Sequence, residues 1–294
     1  MPENTINCRN CQSTETAFSF LAPDTHGRHV IDATPRFPVH RCGRCGAYFL
    51  CGPEPDEAYY RKHYPQTYHT DPSGASAVSR LVAPLMRASF RSKTRALLRF
   101  AKRHKGPLRL LDIGCGDGAF LENLDPRIFE REGLERHPEA CRICRDKGLT
   151  IIASDLDAAP LSGSSYDIVT LWHVLEHLPR PDAALARVRG LLKAGGLLAL
   201  SVPNTAGLGF RWGATHWFHL DAPRHLTWFN ARSLRILLKR QDFTVVKTMH
   251  LCYEYPLDLF WSLRASAGRF LVYPLYPVFK CLSRDILIVL ARKN

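Results

Sequence analysis

Two matched cysteine pairs stand near the start of the chain. Cys8-x2-Cys11 and Cys42-x2-Cys45 are separated by thirty residues. A C-x2-C turn brings two thiolates to one metal ion, and two such turns complete a closed tetrahedral Zn²⁺ site. Gly43 and Gly46 in "RCGRCG" give the backbone freedom that tight knuckles need. A four-thiolate site has no open coordination position, so the expected metal is structural. Cys51 and His40 are nearby spare ligands, and "FLAPDTHGRHVID" between the pairs is expected to turn back as a hairpin at "DTHG". A third pair, Cys141-x2-Cys144, lacks turn glycines and reads as ordinary helix cysteines.

A second concentration of chemistry lies at 217–229, "WFHLDAPRHLTWF". It holds two Trp, two Phe, two His, an Asp and an Arg. Neither a strand period nor a helix period explains that mixture. A third occurs in "LRLLDIGCGDGAFLENL": an apolar strand, Leu108 to Ile113, runs into Gly114, Gly116 and Gly118 and then a helix. Glycines at such a turn let a cofactor approach the backbone. Asp112 departs from the dinucleotide fingerprint; a carboxylate there complements an amino-acid ammonium and opposes a pyrophosphate. "FEREGLERHP" ends a second strand in Glu135, placed to accept from both ribose hydroxyls, and "TIIASDLDAAPL" places Asp155 or Asp157 near an adenine edge.

"LLDIGCGDGAFL", "YDIVTLWHVLEHLPRP" and "LLKAGGLLALSVPN", followed by the late strands, resemble the class I S-adenosylmethionine (SAM)-dependent methyltransferases. The likeness is to the ubiquinone-type, methyltransferase-23-like group with "LEH" after strand four. It covers about residues 107 to 250 and resumes at 285 to 293. "HRCGRCGAYFLCGPEPDEAYYRKHY" is similar to the zinc-ribbon front end of a subgroup that includes sugar and natural-product methyltransferases. The resemblance implies a Rossmann-like α/β fold: a seven-stranded methyltransferase sheet with a final antiparallel strand and a small N-terminal zinc-ribbon module. It implies SAM above the carboxyl ends of strands one and two, at Asp112, Gly114, Cys115, Gly116, Glu135, Asp155, Leu156 and Trp172.

SAM carries an activated methyl group, so the enzyme must place a nucleophile in line with it. A hydroxyl or activated C–H acceptor also needs a base, and histidine suits neutral pH. The candidates are His173, His219 and His225, with Glu176 and His177 of "HVLEH" as scaffolding. Arg224 is placed to clamp a phosphate or carboxylate. Asp221 orients a histidine or pairs with Arg224, and Trp217 and His216 join the acceptor pocket. The competing reading makes Arg224, Asp221 and the histidines a network that only shapes the loop.

Elements follow from pattern. "PDAALARVRGLLKAGG" reads as a helix opened by Pro181 and closed by Gly195-Gly196, and "NARSLRILLKRQ" as one capped by Asn230. "SYDIVTLW", "LLALSVPN", "FTVVKTMHL" and "DILIVLARK" read as strands. Residues 72 to 111 carry ten Lys or Arg and no acid, which suggests an amphipathic basic helix. The expected division is a zinc-ribbon module at 1–60, a basic helical linker at 61–106 and the methyltransferase domain at 107–294. Within that domain, 251–284 is an insertion with eight aromatic residues and three prolines, read as a lid, a dimer patch or an interfacial membrane contact.

The 294 residues suit roughly two domains of ~150 residues. Net charge +13 fits RNA, anionic lipid or an anionic small substrate. The start "MPENTINCRNC" lacks the pattern of a signal peptide, and no apolar run reaches the ~18 residues of a membrane span. Ten cysteines without a secretion signal point to the cytoplasm, with a peripheral place on the inner face of the membrane. The expected activity is O- or C-methylation of a small-molecule, sugar-linked or lipid-linked acceptor, an anionic one by charge. The alternatives are an RNA methyltransferase, disfavoured because "WHVLEH" stands where base N-methylation carries N/D-P-P-Y, and a SAM-binding assembly subunit without turnover. A homodimer is a further expected partner.

Overall fold

The computed structural model describes residues 6–26, 29–52, 55–64, 77–102, 105–251, 254–255, 257–263, 270 and 273–294. Two sheets organise them. The larger is built from β4 (Leu108–Ile113), β5 (Phe129–Glu135), β6 (Thr150–Ala153), β7 (Tyr166–Trp172), β8 (Leu192–Pro203), β10 (Phe243–Met249) and β11 (Ile286–Lys293), in the order β10-β11-β8-β7-β4-β5-β6. β4 pairs in parallel with both β5 and β7, and β11 lies antiparallel between β8 and β10. The expected seven-stranded sheet with an antiparallel closing strand is therefore present. The strand order reverses at β4, and in open α/β sheets the crevice at such a switch point takes the ligand.

The sheet is buried on both faces, as its near-continuous apolar strands require. One core holds Leu111, Val169, Leu171, Leu185 and Leu234; the other holds Leu110, Ile168, Leu197 and Phe129. α5 (Pro181–Leu191) begins with Pro181 in its first turn, and Asn230 caps α7 (Ala231–Arg240) in a reciprocal capping box with Ser233. Gly195-Gly196 does not close α5. Leu192 enters β8 directly opposite Tyr166, and the next matched pair is Leu197 with Ile168, so the glycines lie in a bulge, Gly195 at φ +68.

The smaller sheet joins the two ends of the chain. β1 (Thr16–His26) and β2 (His29–Cys42) form the expected hairpin. β3 (Tyr48–Leu50) follows, and β9 (Thr227–Trp228) adds the fourth strand, Tyr48 opposite Trp228 and Phe49 opposite Thr227. The N-terminal module thus shares backbone hydrogen bonds with the methyltransferase half, and residues 1–60 are not a detached unit.

α1 (Glu57–His63) leads away from this sheet, and α2 (Ala77–Phe100) returns. α2 packs on the sheet instead of bridging through solvent: Leu97 and Ala96 are core residues and Phe90 packs against them. Its outer face exposes Arg87, Arg91, Arg95 and Arg99 at four-residue spacing. The segment between β10 and β11 contains α8 (Asp258–Ser262) and α9 (Tyr276–Ser283), and exposes Leu275, Val278 and Leu282. Among the described residues no helix is long and apolar enough to cross a membrane.

Candidate functional site: a cavity shared by both sheets

A cavity of about 1170 Å³ opens at the carboxyl edge of β4, β5 and β7. Pockets that take one drug-sized ligand measure roughly 300–1,000 Å³, and this cavity lies just above that range. Its walls come from four parts of the chain: the β4–β5–β6 strand ends, the β7 end, the 218–225 loop and the N-terminal module, with Tyr255 added from the late insertion.

At the cofactor end, Gly114, Gly116 and Gly118 all have positive φ, +65, +56 and +75. A Cβ on Gly114 would strike Val174 at 2.6 Å and one on Gly118 would strike Leu149 at 2.4 Å, whereas Gly116 faces open space. Only glycine satisfies both the conformation and the approach. Glu135 ends β5 on the cavity wall and steadies the loop, accepting from the Gly116 N–H at 3.0 Å and the His137 N–H at 2.8 Å. A carboxylate has about four lone-pair sites, so two remain for ribose hydroxyls. Trp172 lines the same space with its Nε1–H buried and unpartnered. The residues present therefore fit SAM: a glycine turn, a carboxylate with acceptor sites to spare and an unsatisfied donor.

Of the expected cofactor residues, Gly114, Glu135, Asp155, Leu156 and Trp172 line the cavity. Asp112, Cys115 and Gly116 are not on the wall. Asp112 lies beneath the loop, where Thr170 Oγ1 donates to its Oδ1 at 2.6 Å; burial pushes its pKa up to about 7 against that bond. Cys115 packs under β5, its sulfur 2.6 Å from where a Gly133 Cβ would stand. Cys141 and Cys144 behave as helix cysteines in α4 (Pro138–Asp146), donating to the carbonyls of Glu135 and Gly116.

The acceptor end gathers histidines. His173 follows β7 directly, at φ +56. Its Nδ1 lies 3.3 Å from Glu176 Oε1 and its Nε2 3.3 Å from Glu254 Oε1, and Lys93 of α2 pairs with the same Glu254 oxygen. Burial opposes a charge on His173, but the two carboxylates outweigh it and hold its pKa up at about 9. His173 is thus an imidazolium locked between acids. His219 donates through Nε2 to Asp258 Oδ2 at 3.0 Å, and Lys280 pairs with the same aspartate. His225 donates through Nδ1 to the His219 carbonyl at 2.9 Å, and burial pushes its pKa down to about 4. His177 donates through Nδ1 to the Arg224 carbonyl at 3.1 Å and meets the Tyr64 hydroxyl at 3.0 Å; burial takes it to about 4 as well. Glu176, His177 and His225 present ligand atoms within 4.8 Å of one another, close enough to converge on one small cation.

Arg224 corrects the expectation of an anion clamp. It does not line the cavity, and its guanidinium donates to Asp221 Oδ1 at 3.0 Å, Asp24 Oδ1 at 2.8 Å, the His63 carbonyl at 3.1 Å and the Thr25 carbonyl. A guanidinium 3% exposed and bonded through all three nitrogens to the protein is committed to internal partners. The network reading of the loop describes Arg224 better. Trp217 packs in the core against Phe210, and His216 is exposed beyond the wall. Asp221 does line the cavity; burial opposes its charge, but His26, His225 and Arg224 hold its pKa well below the carboxylate range.

His26 is the wall residue that the sequence pattern did not single out. Its Nδ1–H donates to Asp221 Oδ1 at 2.9 Å, and its side chain is 47% exposed. The two residues are 195 positions apart, so spacing carries no signal of the pair. Tyr60 and Tyr64 of the "DEAYYRKHY" segment reach the cavity too, and Arg136 lies 4.1 Å over the Tyr60 ring.

The four paired cysteines converge. Cys8, Cys11, Cys42 and Cys45 are 0 to 8% exposed, with Cys8 Sγ 3.7 Å from Cys45 Sγ and Cys11 Sγ 3.6 Å from Cys42 Sγ. Thiolates ~2.3 Å from a tetrahedral Zn²⁺ lie about 3.8 Å apart, so the donor set fits that ion. Neither expected spare ligand belongs to the group: Cys51 lies outside it, and His40 meets Phe18 edge-on and Phe49 at a tilt.

The model of a family described as "methyltransferase domain" matches residues 86–248. Two relatives named ubiquinone biosynthesis O-methyltransferase are similar over the central region. That of Xanthomonas axonopodis pv. citri (strain 306) is 32% identical over 109 residues, 35% of this chain and 46% of the relative. That of Cereibacter sphaeroides (strain ATCC 17025 / ATH 2.4.3) is 39% identical over 106 residues, 33% and 42% respectively. The chain spans under half the length of these relatives. Among solved structures, the Burkholderia thailandensis 1,6-didemethyltoxoflavin-N1-methyltransferase with bound S-adenosylhomocysteine matches at TM-score 0.50 and 17% identity, over 90% of this chain and 98% of that one. The cyclase SpnF matches at TM-score 0.51 and 20% identity, over 70% and 81%. These likenesses speak to fold, and a cyclase among them shows that fold does not fix the reaction. With the match over 86–248, the strand order and the glycine cradle, the chain belongs to the methyltransferase-domain family of class I SAM-dependent methyltransferases.

Proposed function

We propose that the protein transfers the methyl group of SAM to a hydroxyl of a small-molecule acceptor. The observation that carries this reading is the single cavity that runs from the glycine cradle and Glu135 to the histidine- and tyrosine-lined pocket. The names of the relatives support an oxygen acceptor. SAM, when bound, supplies a sulfonium-activated methyl carbon, and this chain's residues position the acceptor and exclude water. Phe218, Tyr255 and Val174 give the pocket apolar walls, and His173 with its two carboxylates fixes the floor. Arg224 is held by internal partners and does not clamp the acceptor, while Arg61, Arg136 and Arg180 line the cavity. An RNA acceptor would rely on the exposed arginines of α2, and none of these lines the cavity.

One structural Zn²⁺ on Cys8, Cys11, Cys42 and Cys45 completes the proposal. It would hold the module that brings Tyr60, Tyr64 and His26 to the cavity. Calorimetry with SAM is the first test: one SAM bound per chain is expected, and no binding by the zinc-loaded protein would remove the reading at its root.

A further inference from the structure

Three side chains meet at the acceptor end of the cavity. Glu176 and His177 come from the single helical turn Leu175–His177, and His225 comes from the 218–225 loop. Each offers one ligand atom, and these atoms lie within 4.8 Å of one another. Glu176 is 0% exposed, and neither of its carboxylate oxygens accepts a hydrogen bond. His173 Nδ1 stands 3.3 Å from Oε1, an ion-pair distance that leaves Oε2 without a partner. Buried carboxylates are paired or coordinate a metal.

The two rings are set in the form a metal needs. Burial keeps both neutral. A carbonyl oxygen only accepts, so each ring carries its proton on Nδ1: His177 toward the Arg224 carbonyl at 3.1 Å, His225 toward the His219 carbonyl at 2.9 Å. Each then has its lone pair on Nε2. Metal-binding histidines are oriented in this way, the other ring N–H donating to a carbonyl. His225 Nε2 also lies 3.7 Å from Asp221 Oδ2. A lone pair facing a carboxylate is repelled unless a positive charge lies near both. His177 and His225 line the cavity and Glu176 does not, so an ion held by the three would turn its open positions to the cavity.

We propose that Glu176, His177 and His225 bind one divalent first-row cation, such as Mn²⁺, Fe²⁺, Co²⁺ or Zn²⁺, which holds the acceptor's hydroxyl oxygen. Two imidazoles and one carboxylate suit that class and leave positions for a ligand. The site is separate from the four-cysteine group, whose thiolates close its coordination. The ion's role rests on the methyl-transfer reading and deepens it. Bound to the cation, the hydroxyl is a stronger acid and loses its proton to solvent. Its oxygen forms the new C–O bond while the C–S bond breaks and that electron pair stays on sulfur.

The test uses the full-length protein with zinc on its four cysteines. Mn²⁺ is the probe, because a hard ion does not displace zinc from thiolates. Electron paramagnetic resonance of free Mn²⁺ should show one ion bound per chain, and bound Mn²⁺ should broaden the His177 and His225 ring signals. Glu176→Gln and His225→Gln should each bind Mn²⁺ at least ~10-fold more weakly, since even a change beside the ligands costs that much. Both should keep their cysteine-bound zinc and bind SAM within about twofold of the parent by calorimetry, which shows that they fold. No Mn²⁺ or Co²⁺ bound at millimolar concentration, or parent affinity in both variants, overturns the site. If a variant fails to fold, the ring signals of the parent decide, and an absence of broadening overturns the site. Methyl-labelled SAM is then offered to small-molecule, lipid and glycan fractions of a cell extract in metal-free buffer, with and without added Mn²⁺. Labelling should be about 10-fold or more slower without Mn²⁺, as damage to a metal site makes it. A rate indifferent to Mn²⁺ overturns the ion's part in catalysis. If the parent labels no fraction, the methyl-transfer reading fails and the ion's role with it, while the Mn²⁺ titration still decides the site.

Discussion

Tyr48 stands opposite Trp228 across an antiparallel strand pair, and that pairing fastens the four-cysteine module to the loop that carries Asp221 and His225. Asn230 adds a second fastening by donating to the Gly46 carbonyl at 2.9 Å while it caps α7. The four-cysteine group and the loop are therefore mechanically linked. Metal analysis should find about one zinc per chain, and Cys42→Ser should lose it, since a structural site needs all four ligands. Full zinc retention by Cys42→Ser would refute the four-cysteine site.

Glu135 joins loop support to the cofactor end of the cavity. Glu135→Ala removes the acceptor for the Gly116 and His137 N–H groups and a carboxylate from the cavity wall. SAM affinity measured by calorimetry should fall at least tenfold, while Asp155→Ala, at an exposed position, should cost less. Equal affinity for Glu135→Ala and the parent would remove Glu135 from the cofactor site.

Arg224 gives a stability prediction where an anion clamp would give a kinetic one. Arg224→Met leaves Asp24 and Asp221 buried without their cation. Removing one partner of a buried pair costs roughly 3–5 kcal/mol, and chemical denaturation should show a loss of that order. Unchanged stability with a raised acceptor KM would instead restore the clamp.

His173 makes stability depend on pH. Its folded pKa of about 9 lies above the unfolded value of 6.5. It therefore contributes stability that is fully present below about pH 6.5 and is lost as pH rises through 9. The contribution is on the order of 3 kcal/mol. The stability gap between the parent and His173→Phe should narrow across that window, and a gap constant from pH 6 to 10 would show that His173 is not the imidazolium between Glu176 and Glu254.

His177 and His225 have the opposite sign. Their folded values of about 4 lie below 6.5. Each contributes stability present above about pH 6.5 and lost as pH falls toward 4. Histidine NMR should find both rings neutral at pH 5.5, and a protonated ring at either position would contradict the burial argument.

Local patterns foretold local features. The run from Leu108 into Gly114 has only one economical conformation, and Asn230 with Ser233 is a capping box in any context. Cys8, Cys11, Cys42 and Cys45 were legible because metal chemistry imposes a spacing. The C-terminal limit of α5 was misjudged because a bulge accommodates Gly195-Gly196 as well as a helix end does. Arg224 was misjudged for a different reason: its partners Asp24 and Thr25 lie in the N-terminal module and His63 at the end of α1, and a guanidinium's occupancy depends on what the fold packs against it. The same long range hid His26, whose partner Asp221 lies in another sheet's connection.

The most direct measurement is mass spectrometry of acceptor fractions after turnover with methyl-labelled SAM. A gain of one methyl group on a hydroxyl-bearing small molecule, absent when Glu135→Ala replaces the parent, is the predicted result. SAM binding with no label in the small-molecule, lipid and glycan fractions, or label in RNA alone, would contradict it.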